Sequence, residues 1–70
     1  MKIKHLIEHS HLVSGQYITV TDRSDRNSPV EYSTKGIGRY DFGPKHQEKV
    51  LALKVNTFRP TEYGIHIDAE

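Results

Sequence analysis

Turn-forming residues recur along the whole 70-residue chain and leave only short segments between them. Glycine and proline interrupt regular structure, and serine, asparagine and aspartate side chains form local turns with the backbone. Such residues fall at 14–15, 24–29, 36–38 and 43–44, and at Pro60 and Gly64. This spacing is typical of short strands joined by turns and disfavours a helical bundle.

Three segments alternate apolar and polar residues with the period of a half-buried strand. Residues 16–22 are rich in β-branched and aromatic side chains, and residues 30–35 show the same alternation. The polar stretch 23–29 between them predicts a hairpin. After the glycines that follow, we expect an extended course to resume over 39–42, and residues 63–67 predict a last strand.

Two other segments fit either a helix or a strand. Residues 2–8 have helical spacing of apolar residues, but they also alternate. Residues 45–55 follow Pro44 and are rich in helix-forming residues, whereas Leu51, Leu53 and Val55 alternate as in a strand. We favour a strand over 50–57, paired with the last strand as a second hairpin.

These segments predict one small domain over residues 1–70. The expected class is mainly β, with a small antiparallel sheet or barrel-like arrangement of about five short strands. The alternative is an α+β class with one helix at 45–55.

Chain length and the absence of cysteine limit what this sequence can hold. A chain this short does not enclose both a core and a deep substrate cavity, so we expect a non-catalytic protein without a cofactor. Without cysteine it has neither a disulfide framework nor a thiolate zinc site, which indicates the reducing cytoplasm. It also contains no apolar run of roughly 18 residues, so we expect no membrane partner.

The expected core is small, because only about a dozen positions face inward, and their burial barely offsets the chain entropy. They are Ile3, Ile7, Leu12, Ile18, Val20, Val30, Tyr32, Leu51, Leu53, Val55, Phe58, Ile65 and Ile67. So limited a core favours association with a partner or a second copy, and we expect a homodimer.

Residues 35–49 combine aromatic and basic side chains. Single-stranded nucleic acids stack their bases on exposed aromatic rings and place their phosphates near Lys or Arg. On a sheet face these residues would bind nucleic acid, with Tyr17 as a further stacking candidate. The predicted nucleic-acid-binding residues are Lys35, Arg39, Tyr40, Phe42, Lys45, Lys49 and Arg26.

The same segment also has a purely structural interpretation. Its match to the first ribonucleoprotein motif is partial, because Ile37, Arg39 and Tyr40 depart from the pattern. In the structural interpretation the glycines shape a bulge, Tyr40 and Phe42 fill the core, and the interleaved acidic residues make an ordinary mixed surface.

Histidines are the other residues that could carry chemistry. His5 and His9 would share a face of a helix, whereas His9 and His11 would share a face of a strand, so the three do not converge in either structure. We therefore predict no metal site. His66 and Asp68 lie on one face of the last strand, where the carboxylate can orient the imidazole ring.

Two functions follow from these observations. The first is a regulatory module that associates with nucleic acid through an aromatic and basic sheet face. The second is a protein-interaction module, an inhibitor or adaptor that adds a sheet edge or an aromatic patch to a larger protein. Salt-sensitive binding of random oligonucleotides indicates the first, and a stoichiometric, salt-resistant protein partner indicates the second.

Overall fold

The computed structural model describes residues 1–9 and 15–70. The elements in these residues are α1 (Ile3–His9), β1 (Tyr17–Asp22), β2 (Val30–Ser33), α2 (Gln47–Leu51), β3 (Val55–Pro60) and β4 (Gly64–Ala69). The strands form one open sheet in the order β2-β1-β4-β3. The β-rich class is confirmed, but the described residues contain four strands instead of about five, and the sheet does not close into a barrel.

The predicted first hairpin is confirmed: β1 and β2 pair antiparallel. Aspartate side chains shape the turn between them. The Asp22 carboxylate accepts the Ser24 N–H over 2.9 Å, and the Asp25 carboxylate accepts the Asn27 N–H over 3.0 Å. These bonds to the second following residue explain why the polar stretch reverses the chain.

A threonine side chain ends the ladder of this hairpin. The Thr34 N–H donates to the Ile18 carbonyl over 2.9 Å, and the Ile18 N–H donates to the Thr34 hydroxyl over 3.2 Å. Because the hydroxyl replaces a backbone acceptor, the chain leaves the sheet at this point. The extended segment predicted over 39–42 is wrong, since these residues lie in a loop.

The strand predicted over 50–57 is wrong in its first half. The Gly43 carbonyl accepts the Gln47 N–H over 2.9 Å, which begins a helical turn, and the side chain of Val50 is fully buried. The helix α2 follows, and β3 begins only after it. The α+β alternative, with a helix inside 45–55, describes this segment.

The predicted second hairpin is confirmed, since β3 and β4 pair antiparallel. Its turn spans residues 61–63. The Thr61 N–H donates to the Gly64 carbonyl over 2.8 Å, and the Thr61 hydroxyl accepts the Gly64 N–H over 3.1 Å.

The two hairpins meet through a parallel pair. β1 and β4 run side by side from the pair Tyr17 and Gly64 to the pair Asp22 and Ala69. The purely antiparallel sheet of the prediction is therefore wrong. Alternation within a strand shows which face is buried but not which strand lies beside it.

The core lies between one face of the sheet and the two helices. Helical spacing in α1 buries three of its residues, so the helical interpretation of residues 2–8 is the one observed. The buried apolar residues are Ile3, Leu6, Ile7, Ile18, Val20, Phe42, Val50, Leu53, Ile65, Ile67 and Ala69. Within residues 1–9 and 15–70, neither helix is long and apolar enough to cross a membrane.

Two described residues that were predicted to face inward are exposed instead of buried in this core. Val30 is 42% exposed and Phe58 is 41% exposed. They lie on β2 and β3, the two edge strands, where the helices do not cover the sheet completely. Leu12 lies outside the described residues.

Candidate nucleic-acid interface

Residues 35–43 form a loop at the end of the sheet where β1 begins. The Lys35 N–H donates to the Asp41 carbonyl over 2.9 Å and closes the base of the loop. The Gly38 N–H donates to the Gln16 carbonyl over 3.3 Å. Gly38 has φ of 81°, a conformation that favours glycine. The loop is thereby attached beside the first residue of β1.

The side chain of Gln47 joins this loop to α2. Its Oε1 accepts the Phe42 N–H over 2.8 Å, and its Nε2 donates to the Tyr40 carbonyl over 2.8 Å. A single amide group therefore satisfies both a donor and an acceptor of the loop backbone, and the loop and the helix form one unit.

Five of the predicted binding residues are exposed on this unit, which we call the loop–helix patch. Its members are Lys35, Arg39, Tyr40, Lys45 and Lys49. A Cβ added to Gly43 would lie 3.6 Å from Cε and 3.9 Å from Nζ of Lys35. The Lys35 ammonium group therefore lies beside the chain just before Lys45, which is in the turn that leads into α2, and Lys49 is in α2 itself.

The charge of this segment is positive. Residues 35–49 contain four Lys or Arg residues and two acidic ones, a net charge of +2, whereas the whole chain carries +1. The Asp41 carboxylate accepts the Gly43 N–H over 2.8 Å, so it also serves the local turn. In the described part of the chain the salt bridge found is Arg23–Asp68, which lies outside the patch.

The structure does not bring the other two predicted residues to this patch. Phe42 is only 5% exposed and packs in the core, so its ring has no face free for a base. Tyr40, by contrast, is 51% exposed. Arg26 lies in the turn that follows β1, about 16 Å away along that strand from the loop end of the sheet.

The patch also lies on a loop and a helix, whereas the sequence predicted a sheet face. The face of the sheet opposite the helices holds other polar side chains. Strand register places Ser33 opposite Thr19, Thr19 opposite His66, and His66 opposite Arg59. We call these four residues, one from each strand, the transverse row.

His66 occupies the centre of this face with both ring nitrogens hydrogen-bonded. Nδ1 lies 2.6 Å from the Thr19 hydroxyl and Nε2 lies 3.1 Å from the Thr21 hydroxyl. A hydroxyl both donates and accepts, so either neutral tautomer of the ring is satisfied. The predicted pairing of His66 with Asp68 is wrong, because Asp68 accepts a hydrogen bond from Nε of Arg23 over 2.7 Å.

Sequence reasoning did not single out Ser33, Thr19 or Arg59. Thr19 and Ser33 occupy the polar side of predicted strands, whereas Arg59 follows the strand predicted over 50–57. Alternation places Thr19 and Ser33 on the open face, but it does not order the four strands, so the row itself could not be predicted.

The four histidines that the structure describes do not gather into a metal site. Within residues 1–9 and 15–70, no group of three His, Asp or Glu side chains is arranged to hold a metal ion. His5 and His9 are exposed on α1. His11, the third histidine of the N-terminal group, lies outside the described residues.

Comparison of the chain with protein-family models, curated proteins and solved structures found no match. The function is therefore inferred from the residues and the geometry described above.

Proposed function

We propose that this protein is a small, non-catalytic regulatory module that associates with nucleic acid through the loop–helix patch. The observation that supports it best is the gathering of four exposed basic side chains and one exposed tyrosine on a loop fixed to α2 by Gln47. Because the Gln47 hydrogen bonds hold the loop before any ligand arrives, less conformational entropy is lost on binding.

The chemistry of the patch fits a phosphate backbone and a base. Lys and Arg attract phosphates mainly as charges, and an exposed tyrosine ring stacks against any base. The proposal therefore concerns affinity for the polymer and includes no sequence preference. We place this activity in the cytoplasm, since the 70 residues include no cysteine.

The first prediction concerns salt. If four cations each contact one phosphate of a single strand, the affinity falls about 50-fold between 50 and 200 mM salt. Fluorescence anisotropy with a labelled oligothymidine measures this dependence directly. The double variant Arg39→Ala/Tyr40→Ala should bind at least tenfold more weakly than wild type at low salt.

Arg26→Ala is the matched control, since it removes one exposed arginine at the opposite end of β1. Its affinity should stay within about twofold of wild type, the change expected for one distant surface charge. Equal losses in the Arg26 and Arg39/Tyr40 variants contradict the placement of the site. Undetectable binding by wild type at low salt contradicts the proposed function.

A second candidate function, protein interaction, is favoured by apolar exposure on the β3–β4 hairpin. Phe58 is 41% exposed and Tyr63 is 75% exposed. A cleft of about 130 Å³ is lined by Phe58, Pro60 and Ile65, together with Gln16 and Gly64. Exposed apolar groups beside an edge strand suit a larger protein or a second copy of this chain.

The second prediction tests this candidate through self-association. Light scattering after size exclusion should give a dimer mass at high protein concentration. Phe58→Asp should shift the mass to that of a monomer, because it places a charge in the apolar contact. The control Ile37→Asp changes a residue that is 73% exposed in the loop that contains Gly38. A monomer at all concentrations contradicts the homodimer.

A further inference from the structure

The transverse row gives the open face a continuous line of hydrogen-bonding groups. It crosses all four strands, over about 14 Å from three interstrand spacings. Ser33 and Thr19 present hydroxyls, His66 an imidazole and Arg59 a guanidinium, so every member has a proton to donate in at least one state. The edge members Ser33 and Arg59 are exposed, and the central members Thr19 and His66 are half-buried.

An aromatic ring lies next to this row. Tyr17 is two residues before Thr19 on β1, so it projects from the same face of the sheet. Its partner on β4 is Gly64, which has no side chain. Gly64 therefore leaves the space beside the Tyr17 ring open on the β4 side. Tyr17, Thr19, Ser33 and His66 line one shallow depression of about 500 Å³, and Glu31 lines its side toward the turn after β1.

The acidic groups of this face lie in the next row, toward the turn after β1. Register places Glu31 opposite Thr21 and Thr21 opposite Asp68. Arg23 Nε donates a hydrogen bond to the Asp68 carboxylate over 2.7 Å, so the positive charge of Arg23 compensates the negative charge of Asp68. The end of the face that contains Tyr17 holds the Arg59 guanidinium, a cation that suits an anionic ligand.

The same end of the sheet adjoins the loop–helix patch. Lys35 follows Ser33 by two residues, and the loop is hydrogen-bonded through Gly38 to Gln16, the residue before Tyr17. A ligand that occupies the Tyr17 side of the depression can therefore continue onto the loop and away from Glu31.

We propose that the transverse row and Tyr17 form the path of a single-stranded nucleic acid, with one base stacked on Tyr17 and a phosphate at Arg59. This inference rests on the proposed function and specifies its ligand, because a base in a duplex has no free face for the tyrosine ring. The hydroxyls of the row hydrogen-bond the sugar or the edges of the neighbouring base. The alternative occupant of this face is a protein ligand. The test below must distinguish it from a single-stranded nucleic acid.

The test compares oligothymidine with a duplex of equal length by fluorescence anisotropy at low salt. Wild type should prefer the single strand. Tyr17→Ala should weaken that binding about 5- to 150-fold, the range for loss of one stacked base, whereas Tyr17→Phe keeps the ring and should bind like wild type. Arg59→Gln should lower the magnitude of the salt slope by about 0.7, the effect of one phosphate contact.

Lys4→Gln is the charge control, since Lys4 lies on α1, on the other side of the sheet. It should bind within about twofold of wild type and keep most of the salt slope. Melting curves for every variant separate lost affinity from lost folding. In wild type, oligothymidine should shift the NMR signals of Thr19, Ser33 and His66 as well as those of the loop, a readout that needs no variant.

Failure of this inference differs from failure of the proposed function. If Tyr17→Ala binds like wild type while Arg39→Ala/Tyr40→Ala loses affinity, the path over the row is wrong and the loop–helix patch stands. NMR shifts confined to residues 35–49 also exclude the path over the row. A preference for the duplex overturns the inference as well. If wild type binds neither nucleic acid at low salt, the proposed function fails, and a protein ligand becomes the occupant to test.

Discussion

At the residue scale, Gly64 shows how one position is fixed by a contact distant in sequence. The turn residues around it mark it as part of a turn, yet in the structure it is the first residue of β4. A Cβ added there would overlap the backbone nitrogen, carbonyl carbon and oxygen of Tyr17. Glycine is therefore required by the close approach of β1 and β4, in addition to any role in the turn.

Gly64→Ala should consequently destabilise the protein. The added methyl group forces β1 and β4 apart at the start of their pairing, and we expect the free energy of unfolding to fall by about 2 kcal/mol or more. Urea denaturation followed by far-UV circular dichroism measures this change.

Gly36→Ala is the matched control for that experiment. An added Cβ at Gly36 meets no atom within 4 Å. Its effect on the free energy of unfolding should be about 0.5 kcal/mol or less. Similar losses in the two variants would show that the close approach at Gly64 does not constrain the residue.

At the element scale, the loop and α2 depend on each other through Gln47. Helix α2 has only five residues, too few for stability on its own, and His46 provides no side-chain cap. The two hydrogen bonds from the Gln47 amide and the burial of Val50 attach the helix to its surroundings. These contacts also fix the loop backbone between Tyr40 and Phe42.

Gln47→Glu should release the loop while leaving the sheet intact. The carboxylate still accepts from Phe42, but it no longer donates to the Tyr40 carbonyl, which it repels. We expect a loss of about 1–2 kcal/mol in local stability, seen as faster hydrogen exchange at the Phe42 amide by NMR. Oligothymidine affinity should fall as well, because the patch is less ordered.

The control for this variant is Glu48→Gln, which changes the neighbouring exposed side chain in the opposite chemical sense. Exchange at Phe42 should then match wild type. If Gln47→Glu also leaves that exchange rate unchanged, the amide of Gln47 does not hold the loop.

The hairpins were predictable from sequence because their determinants are local. Alternation and a polar turn identify β1 and β2 without knowledge of the rest of the chain. Residues 45–55 were not predictable in this way, since both periods fit them. The choice of a helix depends on partners outside the segment, namely the Gly43 carbonyl and the core that receives Val50.

The two surfaces of the candidate site also differ in how far the sequence could predict them. The loop–helix patch was largely predictable because its residues are neighbours in sequence, although the burial of Phe42 and the remoteness of Arg26 were not. The transverse row takes one residue from each strand. Its assembly requires the strand order and the parallel pairing of β1 with β4, which no local pattern contains.

At the scale of the whole molecule, one small core supports every surface described above. Only one face of the sheet is covered by the helices, and the central strands contribute much of the buried area. Small domains have little stability in excess, so the loss of one central side chain is a large fraction of the total.

Ile67→Ala should therefore unfold much of the protein at room temperature. Ile67 is fully buried on a central strand, and this substitution costs about 2–5 kcal/mol in a packed core. Ile37→Ala makes the same chemical change at a residue that is 73% exposed, and its effect should be small. Thermal melting of the two variants by circular dichroism compares them. Equal melting temperatures contradict the core assignment.

The parallel pairing of β1 with β4 also has a consequence for how the molecule folds. Each hairpin closes between neighbouring segments, but Thr19 and His66, which meet in the pair, are 47 positions apart. Contacts of such separation form slowly because a long loop must be closed first. The transverse row therefore exists only once both hairpins have joined, and a ligand held across it would slow their separation. The longer a ligand stays bound across the row, the longer the folded sheet should therefore persist.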